Sequence, residues 1–236
     1  MIRTALSLMI CMILIQPAAG QDAGTPVGAY QARLIKLNEK DFYNKRGLED
    51  TIKGKIQDRT NRVIGEVQDV LVKPNGFVET VVAEIDGFGS DQLFLSAEEL
   101  AMETTRSGYR LPFHRDAMDE MLPAILSNIA TAAGTVDEPL TALSSFDGRA
   151  IFVPGNVSER RSKERFAQVS NVIMNQEGTQ VTGLIIERIN GAADAEAIII
   201  PYPTGLDLAN DGFENGLFIE ARYAEAIRSF ATTLAE

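Results

Sequence analysis

Apolar and polar positions alternate along the chain in short runs punctuated by turn residues, and one such arrangement is written twice. The first copy reads Gly65-Glu66-Val67-Gln68-Asp69-Val70-Leu71-Val72, then Lys73-Pro74-Asn75-Gly76, then Phe77-Val78-Glu79-Thr80-Val81-Val82-Ala83-Glu84-Ile85-Asp86-Gly87. A weaker copy follows about a hundred residues later: Val169-Ser170-Asn171-Val172-Ile173-Met174, a turn at Gln176-Glu177-Gly178, and a strand over 181–191 that begins one residue later. Two copies of one small β unit are therefore expected.

Within the first copy, residues 54–65 predict a strand, a polar turn and a return strand. Val67 and Val70-Leu71-Val72 fall out of simple alternation around Gln68-Asp69, which a β-bulge repairs. Asn75-Gly76 tolerates the positive φ of a tight hairpin. The strand after it is apolar on both faces, with Phe77, Val81, Ala83 and Ile85 on one and Val78, Thr80 and Val82 on the other, so both faces are expected to be covered. Residues 92–96 give a short strand, and Tyr109, Leu111 and Phe113 alternate in another. Five short antiparallel strands with tight turns predict a small closed barrel, because closure removes exposed edges.

A helix is expected over 115–130, with Met118, Met121, Leu122, Ile125 and Ile129 at helical spacing and Pro123 kinking it. A second, over 221–234, places Tyr223, Ile227, Phe230 and Leu234 on one face. The second unit starts near Phe146-Asp147-Gly148 and runs through Ile198-Ile199-Ile200 and Leu217-Phe218-Ile219. The expected organisation is mainly β: a segment 1–20, an arm or linker over 21–46 that crosses the first unit, a first barrel over 47–122, a helix and linker over 123–143, and a second barrel with its helix over 144–236.

The first twenty residues read as a secretion signal: Arg3, an apolar run from Leu6 to Ile15, and Ala18-Ala19-Gly20 as a small-residue cleavage site. The run is about ten residues, against the roughly 20 needed to cross a bilayer. No stable membrane span is expected after cleavage, and the compartment implied is the periplasm. Cys11, the single cysteine, lies inside the signal, so the mature chain is expected to hold no disulfide and no thiolate site. The formal charge of −11 becomes −12 without Arg3, which argues against nucleic acid or an anionic membrane as partner.

Both units resemble the PRC-barrel family, the small β-barrel shared by the photosynthetic reaction-centre H subunit and a ribosome maturation factor. The first copy carries the resemblance in Gly65-Glu66-Val67 with Asp69-Val70, the Asn75-Gly76 turn, Val81-Val82 ending at Asp86-Gly87-Phe88, Leu93-Phe94-Leu95 leading to Glu99-Leu100, and the exit through Tyr109 and Phe113. The second departs from it, with Phe166-Ala167-Gln168 in place of Gly-Glu and Pro201-Tyr202-Pro203 after its third strand. The resemblance implies protein-binding or assembly modules without a shared catalytic constellation.

The chemistry available is narrow. His114 is the only histidine, which excludes a metal site with two imidazoles, and no signature serine motif accompanies it. Asp207, Asp211 and Gly212 have the spacing of a calcium loop, yet Ala209 replaces a ligand and Phe218 stands where the bidentate Glu belongs, so a hairpin turn is the better reading. Gly87-Phe88-Gly89 lacks the third glycine of a phosphate loop. No metal and no cofactor are expected.

One pattern recurs. The loop entering the first repeat carries Lys53, Lys55, Arg59 and Arg62, and the matching loop in the second carries Arg160, Arg161, Lys163 and Arg165. Two readings stay open: Asp58, Glu159 and Glu164 neutralise solvated hairpin tips, the commoner case, or the loops dock an acidic protein or anionic polymer. The function this favours is an exported, non-catalytic adaptor whose partner is another envelope protein. The alternatives are a hydrolase using carboxylates between the barrels and a small-ligand or ion-binding module.

Overall fold

The computed structural model describes residues 26–36, 47–88, 92–118, 120, 140–154, 163–192, 196–207 and 216–235. The signal segment, Cys11, most of the helix expected over 115–130 and the stretch 155–162 lie outside them. The architecture is mainly β, with sheet curled into a half-barrel.

Two sheets share one plan. In the first, β2 (Lys55–Gln57), β3 (Val63–Val72), β4 (Val78–Ile85), β5 (Leu93–Ser96), β6 (Glu103–Thr105) and β7 (Gly108–Arg110) lie in the order β5-β4-β3-β2-β7-β6. In the second, β9 (Ala150–Pro154), β10 (Lys163–Met174), β11 (Val181–Glu187), β12 (Ile198–Pro201), β13 (Leu206–Asp207) and β14 (Leu217–Ile219) lie in the equivalent order β12-β11-β10-β9-β14-β13. The first long hairpin carries the expected bulge, between Val67 and Asp69, and the second carries its equivalent between Val169 and Asn171. By ladder position Ala167 and Gln168 stand where Gly65 and Glu66 stand in the first copy, opposite β9 and β2 respectively.

The expectation of purely antiparallel sheets is corrected. β7 joins β2 in parallel, Ile56 opposite Tyr109, and β14 joins β9 in parallel, Leu217 opposite Ile151. An additional strand, β6, which the sequence reading missed, stands between β5 and β7 in the chain. β5 and β6 run in the same direction, so the connection through 97–102 crosses over instead of reversing the chain. After the β6-β7 hairpin the chain therefore arrives parallel to its first strand. Gly108 makes that approach possible: its φ is +149°, and a Cβ there would sit 2.0 Å from the carbonyl oxygen of Lys55.

The two long hairpins meet tip to tip. Phe77 pairs with Gln180, flanked by Val78 N–H donating to Thr179 O and Val181 N–H donating to Gly76 O, both at 2.9 Å. The second turn is one residue longer, which places Val78 and Val181 at equivalent points, Val78 opposite Val72 and Val181 opposite Met174. The contact is thus a local two-fold between halves of one chain. Around it a single apolar core runs through both sheets, including Ile56, Val70, Val81, Leu95 and Leu111 from the first and Ile151, Val172, Leu184, Ile200 and Ile219 from the second.

The helical turns that precede the sheets each reach across to the other half. Helix α2 (Leu48–Ile52), just before β2, packs on β3 of its own sheet and is tied to the second, where Asn171 Oδ1 accepts from Leu48 N–H at 2.9 Å. Strand β8 (Thr141–Ala142) and the 3-10 turn Leu143–Phe146, just before β9, lie on the first sheet. There β8 pairs with β3, and Asp69 accepts from Ser144 N–H at 3.1 Å and from its hydroxyl.

Over its described residues, 26–36, the N-terminal arm lies on the second unit, not the first. Helix α1 (Pro26–Gln31) packs on the final helix α3 (Ala221–Ala235), with the Tyr30 and Tyr223 rings 4.6 Å apart, and β1 (Ile35–Lys36) pairs with β12. The reason is that α3, which supplies Tyr223, follows the second sheet. Helix α3 buries Tyr223 and Ile227 and half-buries Phe230 and Leu234, as its periodicity predicts. In β4, Val81, Val82, Ala83 and Ile85 are buried from both faces, while Phe77 at the hairpin tip is exposed.

Candidate functional site

The first basic loop joins β2 to β3, and its shape comes from Asp58. Its carboxylate turns inward and accepts from Thr60 N–H at 2.8 Å, from the Thr60 hydroxyl at 2.5 Å and from Arg62 N–H at 3.1 Å. The Thr60 hydroxyl, followed by the backbone amides of Thr60, Arg62 and Arg115, holds the Asp58 carboxyl below the usual carboxylate range against the opposing effect of burial. Asp58 is therefore the internal brace of the loop, which corrects its reading as a solvated counter-charge. Asn61 completes the turn at φ +65°.

Outside this brace stand the cations. Arg59 and Arg62 are exposed, and among the described residues neither pairs with a carboxylate. Arg59 N–H donates to Phe113 O at 3.0 Å, tying the loop to the turn that follows β7. Two arginines that the sequence reading passed over stand beside it. Arg110, in β7, pairs with Glu103 and donates to Asn61 Oδ1 at 2.8 Å. Arg115 lies 4.2 Å above the Phe88 ring and donates to Asp86 O at 2.8 and 3.1 Å. Arg110 could have been found as an outward position of a strand whose inward neighbours are Tyr109 and Leu111.

The remaining candidates are less concentrated. Lys53 and Lys55 pair with Glu49 and Glu66. In the second loop, Arg160 and Arg161 lie outside the described residues, as does the Lys163 side chain, while Arg165 donates to Gln168 Oε1 at 2.9 Å. Glu164 accepts from Asn190 at 2.7 Å and pairs with Arg228 of α3 at 3.4 Å, so it braces the helix instead of neutralising the loop.

The first basic loop leads into β3, and the second, which leads into β10, lies outside the described residues over 155–162.

His114 is exposed and precedes the 3-10 turn Arg115–Ala117, where its carbonyl accepts from Ala117 N–H at 3.0 Å. Leu206 and Asp207 pair antiparallel with Ile219 and Phe218, as in a hairpin whose connecting residues lie outside the described set. Among the described residues no three His, Cys, Asp or Glu side chains stand close enough to hold a metal ion. Likewise no described helix is long and apolar enough to cross a membrane.

At the contact between halves sits Tyr202, 4 % exposed, its ring edge-on to Phe146 at 5.7 Å. Burial pushes the Tyr202 phenol up to about 12, with the nearby Arg149 guanidinium opposing. Its hydroxyl has no hydrogen-bond partner among the described residues. No family model matches the chain, and no curated protein matches its sequence.

Proposed function

We propose that the protein is an exported, non-catalytic binding or adaptor protein of the bacterial envelope, working through protein–protein contacts of two PRC-type barrels, each followed by a helix. The observation that supports this reading is the exposed pair Arg59 and Arg62 on a loop braced from inside by Asp58. A braced loop presents its charges without a large ordering cost on binding, which favours recognition of an acidic surface. The recurrence of a basic loop before the second long strand suits a protein that bridges two sites or two copies of one partner. The segment 1–20 serves in this reading as the export signal to the periplasm.

The test is affinity capture from an envelope extract with residues 21–236 as bait, at low and high salt, with identification by mass spectrometry. Stoichiometric recovery of one protein, lost at high salt, is the expected result. A folded bait that retains nothing at either salt overturns the adaptor reading.

A further inference from the structure

We propose that Asn75 is a site of spontaneous conversion to isoaspartate, that the contact between the two halves holds the reaction back, and that the reaction, once it occurs, opens the contact. An asparagine followed by glycine is the least hindered sequence for this chemistry, because no Cβ on the second residue screens its nitrogen. The Gly76 nitrogen attacks Asn75 Cγ and forms a new C–N bond, closing a succinimide ring. The Nδ2 group leaves as ammonia and takes up the Gly76 amide proton. Water then opens the ring at either carbonyl, giving aspartate or isoaspartate, the latter with the chain rerouted through the side chain.

The fold keeps the reacting atoms apart. Gly76 N–H donates to Lys73 O at 2.8 Å, closing a turn with Pro74 second and Gly76 fourth and without positive φ at Asn75, the arrangement of a type I turn. Such a turn sets ψ of its third residue at roughly 0°, whereas ring closure needs the Gly76 nitrogen to eclipse Asn75 Cβ, about a third of a full rotation away. That rotation swings the peptide plane between Asn75 and Gly76, and the plane is tethered on both edges. Its N–H is held by Lys73 O, and its carbonyl accepts from Gln180 Nε2 of the other hairpin at 3.2 Å. The next carbonyl, that of Gly76, accepts from Val181 N–H, and Asn75 Oδ1 accepts from Phe77 N–H at 3.1 Å. Two of these four bonds come from the second half, so the reaction waits on separation of the tips.

The product does not fit the closed contact. Asn75 is exposed, but Gly76 is buried, and even a Cβ on Gly76 would lie 2.6 Å from Val181 O and 3.1 Å from the Tyr202 ring. Isoaspartate inserts one carbon into the backbone just before Gly76, which moves the Gly76 carbonyl away from the Val181 amide.

The experiment incubates the protein at mildly alkaline pH, native and in urea, and follows conversion at Asn75 by proteolysis and mass spectrometry. Asn75 is expected to react about tenfold or more slowly in the native protein than in urea. In native Gln180→Ala it should react about fivefold faster than in native wild type, the share of one hydrogen bond. Asn190-Gly191, where Asn190 N–H donates to Phe166 O near the far end of β10, is read in the same digest and should not change in Gln180→Ala. A rise at both sites marks general loosening and overturns the proposal, as do equal rates at Asn75 in native protein and in urea, or an unchanged rate in Gln180→Ala. Hydrogen exchange tests the opening. The Val181 amide should lose protection in the purified isoaspartate form and keep it in Asn75→Asp, which carries the charge without the extra carbon. Retained protection in the isoaspartate form overturns the claim that the reaction opens the contact.

Discussion

Asp69 and Asn171 occupy the same place in two equivalent β-bulges, and each reaches across to an amide in the helical turn that precedes the other's sheet. Each bulge side chain also accepts from the next residue of its own strand, Val70 N–H at 2.7 Å and Val172 N–H at 2.8 Å. A bulge leaves one residue unpaired and bends the strand, which frees a side-chain oxygen to serve both its own strand and a partner. Replacing Asn171 by Ala orphans the part-buried Leu48 amide and should cost about 1–3 kcal/mol in urea denaturation. Asn171→Asp, which imitates Asp69, should stay within about 1 kcal/mol of wild type. Equal losses for both variants would show that the carbonyl-type acceptor is not what matters.

Gly76 is the tightest point of the contact between halves. Its φ is +86°, and a Cβ there would lie 2.6 Å from the Val181 carbonyl oxygen, which belongs to the other hairpin. Gly76→Ala should therefore destabilise by about 2 kcal/mol or more, combining left-handed strain with a backbone clash. The urea midpoint measures it, and an unchanged midpoint would mean that the tips separate without loss.

The depressed Asp58 carboxyl makes stability depend on acid. In the unfolded chain it titrates near 3.9, so its contribution is fully present above that pH and is lost as pH falls through the lower folded value. Asp58→Asn should lower stability at neutral pH and flatten the profile below about pH 4. Denaturation midpoints at pH 7 and pH 3 for both proteins check this.

Tyr202 acts at the opposite end of the scale. Its ordinary value of 10.0 is raised to about 12 in the fold, because burial disfavours the phenolate. Stability associated with the neutral phenol is present below 10.0 and is lost as pH rises toward 12. Tyr202→Phe should remove its share of the alkaline loss and change stability little at pH 7, since the buried hydroxyl has no described partner to lose. A large loss at pH 7 would reveal a bond made by that hydroxyl.

The recurrence of the basic loop sets the expected pattern of binding mutants. Arg59→Ser with Arg62→Ser, and separately Arg160→Ser, Arg161→Ser and Arg165→Ser, should each reduce capture of an acidic partner. If the two loops bind independently, their free-energy effects add to within about 0.5 kcal/mol when combined. Strong non-additivity would require both loops to touch one site.

Local chemistry carried much of the plan into the sequence. The bulge at Gln68-Asp69 was legible because an extra residue breaks a period of two, and the turn at Gly76 because only glycine takes its φ without strain. The basic loops were visible as composition, but the gathering of Arg110 and Arg115 beside the first was not. Asp58 also misled, since a carboxylate facing solvent and one facing its own backbone are the same letter in the sequence.

Sequence by itself determined the repeated hairpins, their registers and the final amphipathic helix, since turn residues and side-chain alternation act between near neighbours. Tertiary structure alone decided that β7 and β14 close in parallel, that α2 and the Leu143–Phe146 turn are each bonded to a bulge of the other half, and that β1 fills the edge at Ile199. These choices depend on which distant surfaces fit and which backbone groups are left to pair. No local pattern encodes such a comparison between surfaces far apart in the chain.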